Sequence, residues 1–333
     1  MKPIADHLSL VPGRAAGPGR PRRRGPEPKG GPELTLVRRR LVDVAAAIRE
    51  ADPNELLFYH SVTCQCALPA RRPPEDARTW ERQQGRAALL IEAGKVRHPT
   101  TGAWQQLGLP FGPKARMLLM HLNTEALRQR SPDIQVGRSL TGFVARVQGR
   151  GPTGPEITAF KEQLSCLAAA TVRLALGYDA GCVRQIDTRF VSGMDLWLEK
   201  DDRQRVLWPT TLYLSLDYYD SLTHHAVPLD ERAIAALAHS ATALDVYAWL
   251  AQRLHRVPPG KPQLVPWPAL WDQFGQHYAE LRFFRREFLA QLRQVHLAYP
   301  QGRIEPEENG LRLFQSLPPV ARRLVTVPRT PPG

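Results

Sequence analysis

The stretch whose reading decides the fold is ELRFFRREFLAQLRQV, Glu280 to Val295. At about 100° per residue, Leu281, Phe284, Phe288, Leu292 and Val295 share one face of a helix. Arg282, Arg286 and Arg293 fall within about 40° of one another, about 140° from the apolar centre. Arg285 lies between the two faces. One side packs and the other presents guanidinium groups, which suits a helix lying in the major groove of DNA. An amphipathic surface helix with a solvated arginine face shows the same pattern, so the flanking sequence has to choose between them.

Working backwards, Gly275-Gln276-His277-Tyr278 reads as a turn ahead of a helix running from Tyr278 to His296. Before it come a helix opened by Pro268, a short strand at Gln263–Trp267 and a helix over Ala241–Val257 stopped by Pro258-Pro259-Gly260. A further helix is expected over Pro228–Ala238, with Asp230 and Glu231 in its first turn. Working forwards, Arg303–Glu305 and Leu311–Phe314 face each other across Asn309-Gly310, a strong hairpin signal. Helices, a tight turn, a long helix and a hairpin follow the order of a winged helix.

The first two-thirds of the chain show that order once more. Helices are expected over Leu36–Ala51, Gly112–Arg128, Ser139–Val147 and Glu156–Ala169, with strands at Ala87–Ala93 and Ile134–Val136 and a loop at 69–78. From Thr171 the period changes to alternation. Strands are expected at Thr171–Leu176, Gln185–Val191, Met194–Leu198, Val206–Trp208 and Leu212–Leu216, forming an antiparallel meander. The expected fold is therefore α+β, with two tandem winged-helix domains, 36–220 and 221–318. The first carries an enlarged antiparallel wing sheet. Residues 1–35, rich in Arg, Pro and Gly, read as a disordered basic arm, and residues 319–333 as a disordered tail. The arm is either a solvated linker or a phosphate-contacting extension.

The chain has 333 residues, with 43% hydrophobic and 23% charged residues, a globular composition. No run is long and apolar enough to span a membrane, and no secretory signal is read at the N-terminus. Four cysteines make no disulfide framework, and a reducing cytoplasm is the expected compartment. The formal net charge is +13, of which residues 1–40 hold +7, so the folded body is only mildly basic. Only 7 of the 45 basic residues are lysine, a bias that phosphate or guanine recognition and GC-rich coding both produce.

Other motifs point nowhere firm. Gly149-x-Gly151-x-x-Gly154 follows a helix and contains Pro152, unlike a dinucleotide loop. No GxxxxGK[ST] phosphate loop occurs. His60, Cys64 and Cys66 are too few for a metal centre and read as core residues, so neither a metal nor another cofactor is expected. His224-His225 with Tyr218 and Tyr219 lacks the one-residue spacing that would aim both histidines to one face of a strand, as tyrosine-nucleophile nicking requires. Glu156 and Glu162 have no evident partner for acid–base work. The expected function is binding rather than bond chemistry. Arg282, Arg285, Arg286 and Arg293 are the candidate contacts on the helix, with Tyr278 at its start. Lys261, Arg303 and Arg312 are expected to hold phosphates near the hairpin.

Residues 107–147, LGLPFGPKARMLLMHLNTEALRQRSPDIQVGRSLTGFVARV, resemble the RepA family of plasmid replication initiators. So do FYHSVTCQCALP, WERQQGRAALLIEAG, FKEQLSCLAAATVRLALG, VPLDERAIAALAHSATALDVYAWLAQRLHRV and WPALWDQFGQHYAELRFFRREFLAQLRQVHLAYP, in order across about 36–320. The resemblance implies a protein that binds repeated sites (iterons) in double-stranded plasmid origin DNA and promotes its opening. It also implies recruitment of a host initiation protein and the replicative helicase. A monomer–homodimer equilibrium through the N-terminal winged helix and repression of the protein's own promoter are implied too. A winged-helix transcriptional regulator without a replication role, and a nicking enzyme, are the alternatives.

Overall fold

The computed structural model describes residues 36–97, 102–136, 139–177, 183–197, 208–275 and 277–321. The expected basic arm 1–35, the tail from residue 322 and the strand start at Val206-Leu207 lie outside the described residues. The chain enters through α1 (Leu36–Glu50), whose Leu41, Ala45 and Ile48 are buried at three- and four-residue spacing. Then come β1 (Leu56–His60) and the short α2 (Ser61–Gln65), which sequence periodicity did not reveal. A hairpin of β2 (Thr79–Gln84) and β3 (Ala87–Glu92) turns at Gly85, whose φ of +57° favours glycine. A separate small hairpin pairs β4 (Lys95–Arg97) with β5 (Trp104–Gln106).

The next stretch has the order helix, strand, helix, helix. It comprises α3 (Gly112–Gln129), β6 (Asp133–Gln135), α4 (Leu140–Gln148) and α5 (Gly154–Ala169). Four strands follow: β7 (Thr171–Gly177), β8 (Val183–Arg189), β9 (Val191–Trp197) and β10 (Trp208–Leu214). They do not form one meander. β7 and β8 extend the first hairpin into a sheet of order β2-β3-β7-β8, while β9 and β10 join β6 in the order β6-β10-β9. The change of sheet falls at Phe190, the single residue between β8 and β9, which is fully buried with its ring edge-on to Tyr218, 5.2 Å away.

A linking segment follows, made of α6 (Leu216–His225), β11 (Ala226–Asp230) and α7 (Glu231–Leu237). The helix expected from Pro228 begins only at Glu231. Ala226 to Asp230 instead pair antiparallel with β1, and Asp230 is the N-cap, its carboxylate accepting from the Arg232 N–H at 2.9 Å. The boundary expected at 220/221 falls inside α6.

The order helix, strand, helix, helix then repeats with α8 (Ala241–Arg253), β12 (Gln263–Pro266), α9 (Trp267–Phe274) and α10 (Leu281–Ala298). Two strands close it, β13 (Ile304–Pro306) and β14 (Gly310–Leu313), in a sheet of order β12-β14-β13. In both stretches the last strand lies in the middle of its three-stranded sheet. The two share one hydrophobic core that also takes in α1 and the linking segment. At its centre Arg116 of α3 meets Asp245 of α8. Its Nε and Nη2 donate to the two carboxylate oxygens at 2.6 and 2.7 Å, and the remaining donors reach the carbonyls of Leu68, Pro69 and Gly112. Burial pushes the Asp245 carboxyl up, against the pull of the guanidinium. With every N–H of Arg116 used, the pair satisfies the condition under which a buried charge is tolerated.

Candidate nucleic-acid interface

α10 sits where its apolar stripe demands. Phe284, Phe288, Leu292, Val295 and Ala298 are buried, and Phe288 has its ring centroid 5.6 Å from Phe274 and 6.1 Å from Trp267. The turn into the helix depends on Gly275, where a Cβ would lie 2.2 Å from Trp271 Cδ1 and 2.6 Å from Phe284 Cδ2. The helix begins at Leu281, three residues later than the sequence suggests, because Tyr278 is held in that turn by its N–H donating to the Gly275 carbonyl at 2.8 Å. The hairpin beyond α10 is anchored likewise. A Cβ on Gly310 would stand 2.1 Å from the Val265 carbonyl oxygen of β12.

The arginines of α10 divide by environment. Arg282 and Arg286 are exposed, each beside a carboxylate on the same surface: Arg282 Nε lies 2.7 Å from Glu280 and Arg286 Nη2 3.0 Å from Glu287. Both guanidiniums lie over the ring of Phe283, 4.7 and 5.6 Å from its centroid. Arg293 is exposed. Arg285 is half-buried over Trp267, 5.0 Å from the ring centroid, with its Nη2 3.5 Å from the Glu307 carbonyl of the hairpin turn. It thus ties helix to hairpin rather than standing free.

The remaining candidates are spread more widely. Lys261 is exposed in the turn before β12. Arg303 is exposed with its guanidinium 5.2 Å from the Phe314 ring centroid. Arg312 is bound to the Glu307 carboxylate within the hairpin, and that bond holds Glu307 below its ordinary carboxylate range. Tyr278 is half-buried, its ring 5.8 Å from Phe284 and under the guanidinium of Arg71 at 5.7 Å. The helix–turn region therefore assembles Arg282, Arg286, Tyr278 and, more loosely, Arg293, whereas Arg285 and Arg312 are engaged internally. Sequence reasoning missed Arg71, brought in by the 69–78 loop, and Phe283. For Phe283 the signal was present: the helical arithmetic puts it about 140° from the apolar centre too, on the other flank of the arginines.

The discounted motifs have structural duties. The ring of His60 N-caps α2, its Nδ1 accepting from the Val62 N–H at 3.1 Å, so the proton sits on Nε2, 3.0 Å from Ser221 Oγ. Burial holds this imidazole down at about 3. Cys64 and Cys66 are buried thiols, and burial pushes Cys66 up to about 12. Among the described residues no group of three or more His, Cys, Asp and Glu could hold a metal ion. Gly149 closes α4 with a φ of +68°, and Thr153 with Glu156 forms the capping box that opens α5. Tyr218 is buried with its hydroxyl 3.0 Å from Asn123 Oδ1. Among the described residues no helix is long and apolar enough to cross a membrane.

Comparison with known proteins adds one decisive observation. Residues 109–273 match the family model described as plasmid-encoded RepA protein. That stretch, just under half of the chain, is a RepA-family domain. The RepA match begins just before α3 and ends inside α9, so it takes in the whole first helix–strand–helix–helix stretch and stops short of α10. No curated protein gives a significant match. Two crystal structures of domains 2 and 3 of RctB, one a selenomethionine derivative, align with TM-scores of 0.48 and 0.46 at 10% identity. Each alignment covers 76% of this chain, with 96% and 94% of the other covered.

Proposed function

We propose that this chain is a plasmid replication initiator that binds repeated sites in its origin through α10. The observation that carries the reading is the outward arginine face at the start of α10, seated between a glycine turn and a hairpin. In this reading the segments 112–214 and 241–313 are two winged helices, within an N-terminal domain of 36–220 and a C-terminal domain of 221–318. Support comes from their shared strand order, in which the last strand occupies the middle of each sheet. α10 enters the major groove with Arg282, Arg286 and Arg293 toward bases and phosphates. Lys261 and Arg303 follow the backbone, and Tyr278, Arg285 and Arg312 brace the helix and hairpin.

The mechanism needs no bond chemistry. Phosphate contacts release counterions, which makes affinity fall with salt. Bidentate arginine contacts fix the site, each contributing about 1–3 kcal/mol of discrimination. Several copies on adjacent repeats bend and untwist the duplex, and the stored deformation energy opens a neighbouring AT-rich stretch, where a host initiation protein and the helicase are loaded. Pairing through the N-terminal domain and repression of the gene's own promoter belong to the same reading. A mobility-shift comparison tests it: Arg286→Ala weakens binding to origin repeats far more than Arg22→Ala does. Equal losses would remove the role of α10. A replicon that carries only the origin, maintained when this gene is supplied in trans, separates an initiator from a transcriptional regulator. A covalent tyrosyl–DNA product formed on supercoiled origin DNA with a divalent metal would establish a nicking enzyme instead.

A further inference from the structure

Phe283 is an anomaly on α10. A phenylalanine on a polar helix face is 40% exposed, although the helix has a well-formed apolar stripe elsewhere. It does not lie loose on the surface. The guanidiniums of Arg282 and Arg286 lie over its ring, 4.7 and 5.6 Å from the centroid, and are themselves held by Glu280 and Glu287. The ring thus sets the direction of the two arginines and gains cation–π stabilisation from both. Its exposed part forms a rigid apolar surface with only two side-chain torsions to fix on binding. Ala290, two turns along and about 20° away, keeps that stripe low, so a partner can approach the helix closely.

Among the groups presented in a major groove, one is apolar: the C5 methyl of thymine. We infer that Phe283 is a specificity-determining residue that packs on a thymine methyl beside the bases or phosphates held by Arg282 and Arg286. The inference rests on the proposed major-groove role of α10 and deepens it. It assigns the apolar element of recognition, which the arginines cannot supply. It also predicts that the contacted step carries a thymine next to an arginine contact.

Replacing thymine by uracil deletes this one methyl and leaves pairing intact. The full chain is used to select its duplex from a random-sequence pool, and each thymine of that duplex is then replaced singly by uracil. The unsubstituted protein is expected to lose about fourfold in affinity at one thymine per bound copy, the change that burying one methyl produces. Phe283→Ala is expected to bind more weakly and to be indifferent to uracil at that same position, with Phe283→Leu in between. Insensitivity of the unsubstituted protein at every thymine overturns the inference, as does a Phe283→Ala variant that keeps the full uracil effect. In both cases a large loss with Arg286→Ala leaves the role of α10 standing. If Arg286→Ala and Phe283→Ala both bind as the unsubstituted protein does, the interface itself is wrong.

Discussion

The chain contains two stretches of the same order, α3 to β10 and α8 to β14, and their third helices differ sharply. α5 opens with a capping box, and its charged residues are Glu156, Lys161 and Glu162. α10 has no side-chain cap and carries Arg282, Arg285, Arg286 and Arg293 against the single acid Glu287. Topology is therefore not what makes one of them a candidate DNA reader. Both orders solve the same packing problem, three helices against a three-stranded sheet, and the surface composition of one helix adds the chemistry. The insertions differ as well. The first stretch has β7 and β8 placed between its third helix and the remaining strands, where they build a second sheet. The second runs directly into its hairpin.

The largest expected effect concerns what joins the two. Arg116→Met leaves Asp245 as a buried unpaired carboxylate and is expected to cost about 3–5 kcal/mol in urea unfolding. Arg116→Met with Asp245→Leu should recover most of that loss. If the single variant unfolds in two separated transitions, the stretches are independent; one transition means that they fold together. Next is the joint formed by β1, α6 and β11. Burial lowers His60 from its ordinary value to about 3, so the unfolded chain takes up a proton that the folded one refuses. This part of the stability is complete above about pH 6.5 and falls as pH drops towards 3, at up to about 1.4 kcal/mol per pH unit. His60→Gln is expected to flatten that acid slope in denaturation curves taken across the range, and an unchanged slope would mean the imidazole charges freely in the fold.

DNA binding then contrasts the two third helices directly. Arg286→Ala on α10 is expected to cost about 1–3 kcal/mol of affinity and to lower the salt slope by about one. Lys161→Ala on α5 should change neither. Equal effects in a salt-titrated binding assay would mean that both helices touch DNA. The smallest effect is the cap that α10 lacks. Bonding to Arg150 and to the Thr153 backbone holds Glu156 down at about 2, so its contribution is present above about pH 4.5 and is lost as pH falls towards 2. Because the pair with Arg150 lies at the surface, Glu156→Gln is expected to cost no more than about 0.5–1 kcal/mol by thermal unfolding at neutral pH.

Periodicity and turn chemistry determined much of this molecule. The 3.6-residue stripe of α10, the Asn309-Gly310 hairpin and the Pro-opened starts of α3 and α9 are local signals, because each depends on residues a few positions apart. The arginine face was legible for the same reason. Tertiary structure alone decided the rest. Strands β1 and β11 exist because they pair with each other across the chain, and β7 to β10 divide between two sheets at the buried Phe190. Packing against Trp267 and the hairpin turn holds Arg285 of α10, and the Glu307 carboxylate engages Arg312 of β14, while Arg282, Arg286 and Arg293 face out. A helical period tells which side a residue is on; whether its guanidinium stays outward depends on what the fold packs beside it, as Trp267 and the hairpin turn do at Arg285.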